Sequence, residues 1–234
     1  MPYPLGKVKW VVNLIFQNHS SDIYYLRASF MTEKIFILDF GSQYTQLIAR
    51  AVREANVYCE IIPFNKPFII DKPIKGIIFN CSPFSVNDSN APSADIPSYI
   101  QKTPLLGVCY GAQLTVKEFG GKVEKSNKRE YGRAKLHKQQ DDILLADVED
   151  NSQVWMSHSD TITQLPDGFD LLATTASIPI AAFKRSTSND QSSTCFPLYG
   201  LQFHPEVYHS TDGSTLLTTF FVNICGCQQN WTPS

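Results

Sequence analysis

The sequence predicts an α/β fold with a parallel sheet, and three observations carry that prediction. Short apolar runs alternate with amphipathic segments of helical length between residues 35 and 119. One apolar run passes straight into a helical pattern through Gly107-Val108-Cys109-Tyr110-Gly111, a sharp strand-to-helix turn of the kind found at the carboxyl edge of such sheets. At 234 residues and 43% hydrophobic content, the chain can bury one sizeable core.

Taken in order, Ile35 to Leu38 reads as a buried strand, and Gln43 to Glu54 as a helix presenting Leu47, Ile48, Ala51, Val52 and Ala55 on one face. Apolar runs at Val57 to Ile62, Ile74 to Phe79 and Leu105 to Val108 supply further strands. The last feeds a helix from Tyr110 to Phe119, which Gly120-Gly121 stops. After Gly121 the segments shorten into strands and turns, and the Ser/Thr-rich stretch from Lys184 to Phe196 reads as a surface loop.

The thiol at the turn is a candidate nucleophile. A free cysteine has a pKa of about 8.5, and a helix N-terminus with a nearby imidazole brings it to roughly 3.5 to 7.5. Gly107 and Gly111 flank Cys109 as expected where strand and helix approach closely. Far downstream, Gly200-Leu201-Gln202-Phe203-His204-Pro205-Glu206-Val207 places an imidazole and a carboxylate two residues apart. In an extended segment such residues project to one side, so Glu206 can orient the His204 ring while its other nitrogen faces Cys109. Pro205 cannot donate a ladder bond, which suits a strand end. The Tyr110 N–H, immediately after the nucleophile at a helix start, is a candidate oxyanion donor by position.

Charge and cysteine usage narrow the class. A formal net charge of -2 shows no bias toward nucleic acid, and no apolar stretch is long enough to span a bilayer. The six cysteines, at 59, 81, 109, 195, 225 and 227, form no paired CxxC framework, which fits reduced cytoplasmic thiols. Cys225-Gly226-Cys227 is too closely spaced for a zinc knuckle, so no metal is expected. The basic residues Lys125, Lys128, Arg129, Arg133, Lys135, His137 and Lys138 are interspersed with Glu124 and Glu130 and read as a solvated or docking face. His209 reads as a surface residue.

The Cys elbow and the His-Pro-Glu segment resemble those of the class I, triad-type glutamine amidotransferases. Asp39-Phe40-Gly41-Ser42-Gln43, Ser126-Asn127-Lys128-Arg129-Glu130-Tyr131-Gly132, Trp155-Met156-Ser157-His158 and Trp231-Thr232-Pro233 resemble the glutaminase domain of the GMP synthase branch. The resemblance covers nearly everything after about residue 31. It implies a flavodoxin-like three-layer fold with a mixed, mainly parallel central sheet. It also implies hydrolysis of L-glutamine through a Cys109 thioester, with His204 as acid and base and Glu206 as its orienter. A second oxyanion donor, the Ser82 N–H, and glutamine-site roles for Gln113, Ser157 and His158 follow from the same likeness. The family usually has a glycine where Cys81 stands, and a side chain costs on the order of 1 to 2 kcal/mol if that position needs positive φ. Ser159 also stands where the family generally has glycine.

The resemblance divides the chain into an extension at residues 1–30, an amidotransferase domain at 31–227, and the start of a linker at 228–234. The extension only weakly imitates a signal sequence, since Asn13 breaks its short apolar core and no A-x-A site follows. It reads as dispensable or wrongly translated. Nothing in the chain matches the Ser-Gly-Gly-Val-Asp-Ser phosphate loop of an ATP pyrophosphatase domain. By resemblance, that partner domain would bind ATP and magnesium and aminate XMP, this chain would need no cofactor of its own, and Trp231-Thr232-Pro233 would be the junction, the sequence being a truncation rather than a free subunit. The competing expectation is a noncatalytic docking or regulatory subunit with the oxyanion hole closed at Cys81, or a glutaminase serving another synthase.

Overall fold

Strand β1 (Lys34–Asp39) alternates its side chains between two cores: Ile35 and Ile37 join one cluster, Phe36 and Leu38 the other. That division extends through the computed structural model, which describes residues 33–70, 73–186 and 195–232, with backbone alone for residues 127–130. The sequence-defined extension at 1–30 lies outside the described residues.

Helix α1 (Thr45–Glu54) follows, then β2 (Tyr58–Pro63), β3 (Ile74–Phe79), the short helix α2 (Ile96–Ile100), β4 (Leu105–Val108) and α3 (Tyr110–Glu118). Beyond these lie β5 (Lys122–Lys135), β6 (His137–Lys138), β7 (Gln153–Gln164), β8 (Phe169–Thr174), β9 (Ala182–Arg185), β10 (Leu198–Leu201) and α4 (Gly213–Thr219), which runs on as a π-turn over Phe220–Ile224. One eight-stranded sheet has the order β2-β1-β3-β4-β10-β9-β8-β6. Pairing is parallel from β2 to β10 and antiparallel from β10 to β6, so the sheet is mixed, as the resemblance implies.

Helices cover both faces, giving three layers. Ile48 and Val52 of α1 and Leu216 and Leu217 of α4 bury one face, while Ile96 and Ile100 of α2 and Ala112 and Val116 of α3 bury the other. Each fully buried aliphatic side chain contributes about 1.5 to 3 kcal/mol relative to exposure, so the two faces together hold the sheet. Among the described residues, no helix is long and apolar enough to cross a membrane.

Three expectations need correction. Helix α1 begins at Thr45 and buries Thr45, Ile48, Ala49, Val52 and then Ala55, leaving Leu47 exposed. The 3.6-residue period carries the buried stripe through Ile48, Ala49 and Val52, which leaves Leu47 a step off it. Not every segment after Gly121 is short: β6, β8, β9 and β10 have two to six residues, but β5 has 14 and β7 has 12, and these two form a separate two-stranded antiparallel ribbon. Its register breaks between Lys125 and Glu130, and its many polar residues conceal any apolar alternation. Finally, Lys184 and Arg185 belong to β9, paired with Tyr199 and Phe169 respectively, rather than to a loop; residues 187–194 lie outside the described residues.

Past α4 the chain reaches the connection between α1 and β2. The Trp231 N–H donates to the Asn56 carbonyl at 2.9 Å, and its ring meets Tyr58 with centroids 5.9 Å apart.

Candidate active site

Adjacent parallel strands β4 and β10 set the site, because Val108 and Leu201 are in register and the residues that follow each leave the same sheet edge. Cys109 comes immediately after β4. Its φ of 52° and ψ of -102° lie in a region costly for a residue with a Cβ, of order 1–3 kcal/mol. The Cys109 N–H donates to the Leu201 carbonyl at 2.7 Å, and the Cys109 carbonyl accepts from Gln113 at 3.1 Å, so the fold holds this backbone from both sides. The flanking glycines are required by close approach. A Cβ on Gly107 would come within 2.6 Å of the Gly111 carbonyl carbon, and one on Gly111 would strike the Phe79 carbonyl.

His204 stands three residues past β10, bridged to β7. Its N–H donates to the Trp155 carbonyl at 2.9 Å, and the Ser210 hydroxyl donates to its carbonyl while accepting from the Trp155 N–H at 3.1 Å. The imidazole Nδ1 is 2.8 Å from Glu206 Oε1, and both side chains are buried. The Tyr44 ring lies against the imidazole at 4.8 Å between centroids. The structure therefore brings Cys109, His204 and Glu206 together in the order that the sequence suggests.

Their electrostatics favour charge separation. The Cys81 thiol hydrogen-bonds to the Cys109 sulfur and, against burial, with the His204 and His158 charges adding to it, holds Cys109 well below the usual thiol range. Burial opposes charging His204, but the Glu206 carboxylate and the Cys109 sulfur outweigh it and raise the imidazole well above its ordinary value. A thiolate beside an imidazolium that is held by a buried carboxylate can attack an acyl carbon and protonate the leaving group.

The remaining candidates differ in placement. Ser157 and His158 lie on β7 opposite Tyr131 and Glu130, with the Ser157 carbonyl 3.9 Å from the Cys109 sulfur and His158 buried. The Gln113 amide donates to the Asp160 carbonyl at 2.8 Å, so its NH2 ties α3 to β7. The Ser82 hydroxyl donates to the Phe40 carbonyl at 3.0 Å and fixes its loop. Cys81 is not among the described residues with positive φ, so the backbone penalty anticipated for a side chain there does not arise. Its effect comes instead through the thiol, which lies 3.6 Å from His204 Nδ1 and 3.7 Å from the Val108 carbonyl. Burial pushes that thiol well above the usual value. His209, expected at the surface, is half-buried and stacks on Trp155 at 4.7 Å, because the turn after Glu206 folds back over β7.

Sequence reasoning missed several supports. Asp39 Oδ1 accepts from the Gly41 and Ser42 N–H groups and from the Thr45 hydroxyl, which in turn accepts from Asn80 Nδ2 at 2.8 Å. This network locks the loop after β1 to the loop carrying Cys81 and Ser82. Tyr44 and Ser210 carry no spacing signal, since each meets His204 only through the tertiary fold.

Fold and site define an α/β protein with a cysteine-histidine-glutamate constellation at the carboxyl edge of its sheet. The family profile "Glutamine amidotransferase class-I" matches residues 36–224, and the chain belongs to that family. It is 53% identical over 204 residues to a glutamine-hydrolysing GMP synthase of Cytophaga hutchinsonii, covering 87% of this chain and 38% of that protein. The corresponding protein of Bacteroides thetaiotaomicron is 49% identical over 205 residues, covering 87% and 39%. The chain thus spans under two-fifths of the length of these relatives. A crystal structure of a protein provisionally called a GMP synthase subunit, from Thermoplasma acidophilum, superposes with a TM-score of 0.64 at 26% identity, covering 83% of this chain and 94% of that one.

Proposed function

We propose that this chain is the glutaminase part of a glutamine-hydrolysing GMP synthase, releasing ammonia from L-glutamine for amination of XMP on an ATP pyrophosphatase domain. One observation carries the reading: the His204 ring lies between the Cys109 sulfur and the Glu206 carboxylate. The Cys109 thiolate attacks the side-chain amide carbon, and the His204 imidazolium donates its proton to the departing ammonia. His204 then takes a proton from water, which attacks the thioester and returns glutamate and the free thiol. Ser157, His158 and Gln113 shape the glutamine site. The Tyr110 and Ser82 N–H groups supply the oxyanion donors; each is worth about 2.7–4 kcal/mol in such sites.

The chain needs no cofactor for this step; ATP and magnesium belong to the synthetase domain. Reduced thiols at all six cysteines suit a cytoplasmic protein. By sequence, the amidotransferase domain runs over residues 31–227, with the extension assigned to 1–30 and the linker start to 228–234.

A second reading, a noncatalytic docking subunit, is favoured by one specific observation: the Cys81 side chain, at a position where the family resemblance places glycine, is buried with its sulfur 3.6 Å from His204 Nδ1 and crowds the space beside the catalytic pair. The deciding experiment measures ammonia release from glutamine with and without a GMP synthase pyrophosphatase domain plus Mg-ATP and XMP. Turnover that Cys109→Ala abolishes supports the glutaminase; a folded, partner-binding chain without turnover in either condition supports the docking subunit.

A further inference from the structure

We propose that Cys81, Cys109 and His204 form a binding site for a thiophilic divalent cation of the zinc class. Among the described residues, this is the one group of three cysteine, histidine or carboxylate side chains whose ligand atoms all lie within 4.8 Å of one another. All three are buried, at 5%, 7% and 1% exposure, so water competes poorly for the ligand positions.

The donor set selects the cation. Two sulfurs and one imidazole nitrogen suit zinc, whereas magnesium and calcium require oxygen. Tetrahedral zinc, with Zn–S of about 2.3 Å and Zn–N of about 2.0–2.1 Å, sets ligand atoms about 3.5–3.8 Å apart. Drawing the three atoms from within 4.8 Å to that spacing takes at most roughly an ångström of side-chain adjustment.

The surroundings point the same way. His204 Nε2 is buried with no hydrogen-bond partner, while Nδ1 is held by Glu206 Oε1 at 2.8 Å. A carboxylate bound to the far nitrogen of a histidine is the usual support of a zinc-ligating imidazole, fixing its tautomer and raising its basicity. Cation binding replaces the Cys81 thiol proton and the imidazolium proton, both released to solvent, and leaves a neutral site of two thiolates and one divalent ion. The fourth position stays open. Sequence spacing hides this site, because its ligands lie at positions 81, 109 and 204, and the second sulfur comes from the position where the family resemblance places glycine.

The test is titration of the reduced chain with zinc against a chromophoric chelator, with cobalt as a spectroscopic stand-in. One equivalent is expected to bind, with cobalt giving thiolate charge-transfer absorption and tetrahedral visible bands. Affinity falls at least a hundredfold in both Cys81→Ser and Cys109→Ser and holds in Cys225→Ser. In the unmutated chain, zinc also protects Cys81 and Cys109 from alkylation, a readout that survives if a serine variant fails to fold. No stoichiometric binding, binding that persists in folded Cys81→Ser, or alkylation of the pair unaffected by zinc would overturn the site. These readouts stand apart from glutamine hydrolysis: a chain that binds zinc but never turns over glutamine defeats the glutaminase reading alone.

Discussion

His204 Nδ1 and Glu206 Oε1 lie 2.8 Å apart with both side chains buried, so this contact fixes the ring's tautomer and, with the Cys109 sulfur, favours its charge. Glu206→Gln keeps the shape but removes the charge that raises the His204 pKa. Glutamine hydrolysis is expected to fall by roughly 10²–10⁴ in kcat, a loss comparable to removing the orienting carboxylate of other triads. Steady-state ammonia release measures it. The alkaline limb of the pH profile should move to lower pH in the variant, and an unmoved limb with full activity would defeat the orienting role.

Reactivity of Cys109 should report the ion pair directly. The folded thiol titrates well below its ordinary value, so alkylation by iodoacetamide should already be fast at pH values where free cysteine is slow. The sign for turnover follows: kcat/KM rises as pH climbs through the depressed Cys109 pKa and falls as pH passes the raised His204 pKa. His204→Ala should shift the alkylation midpoint upward, since it deletes a positive neighbour. A midpoint unmoved in that variant would mean the pair is not coupled.

What could be read from the sequence depended on whether a signal was local. The apolar runs of β1, β3 and β4 match the observed strands because a parallel strand buried on both faces needs nearly every residue apolar. Cys109, His204 and Glu206 were legible because the elbow and the His204-Pro205-Glu206 tripeptide constrain backbone as well as chemistry. The β5–β7 ribbon was not, since its polar residues carry no clear period and its long pairing is decided across the two strands. The direction of the Cys81 side chain was equally hidden: a residue reads as a substitution for glycine, but only the fold shows its sulfur against His204.

Gly111→Ala tests the packing behind the elbow. Its Cβ would strike the Phe79 carbonyl, a backbone atom held within the central sheet, so rotamer change cannot relieve the clash. Destabilisation of about 1–3 kcal/mol is expected from overpacking of this kind, read by urea unfolding. Wild-type stability in that variant would mean that α3 can slide away from β3 without cost.

Cys81→Gly separates two effects that the same thiol exerts. Removing it takes away the hydrogen bond that does most to lower the Cys109 pKa, so the acid limb of kcat/KM should move to higher pH. It also clears a buried side chain from beside the catalytic pair, leaving the Tyr110 N–H to serve a developing oxyanion. A recovered donor of this type is worth about 10²–10³ in kcat when fully formed, which sets the upper bound on the gain. The expected result is therefore a higher kcat above the shifted limb together with lower activity below it, measured as ammonia release across pH. A uniform fall at every pH would mean that the thiolate's stabilisation outweighs the freed donor. A uniform rise would mean that Cys81 acts only by occupying the hole.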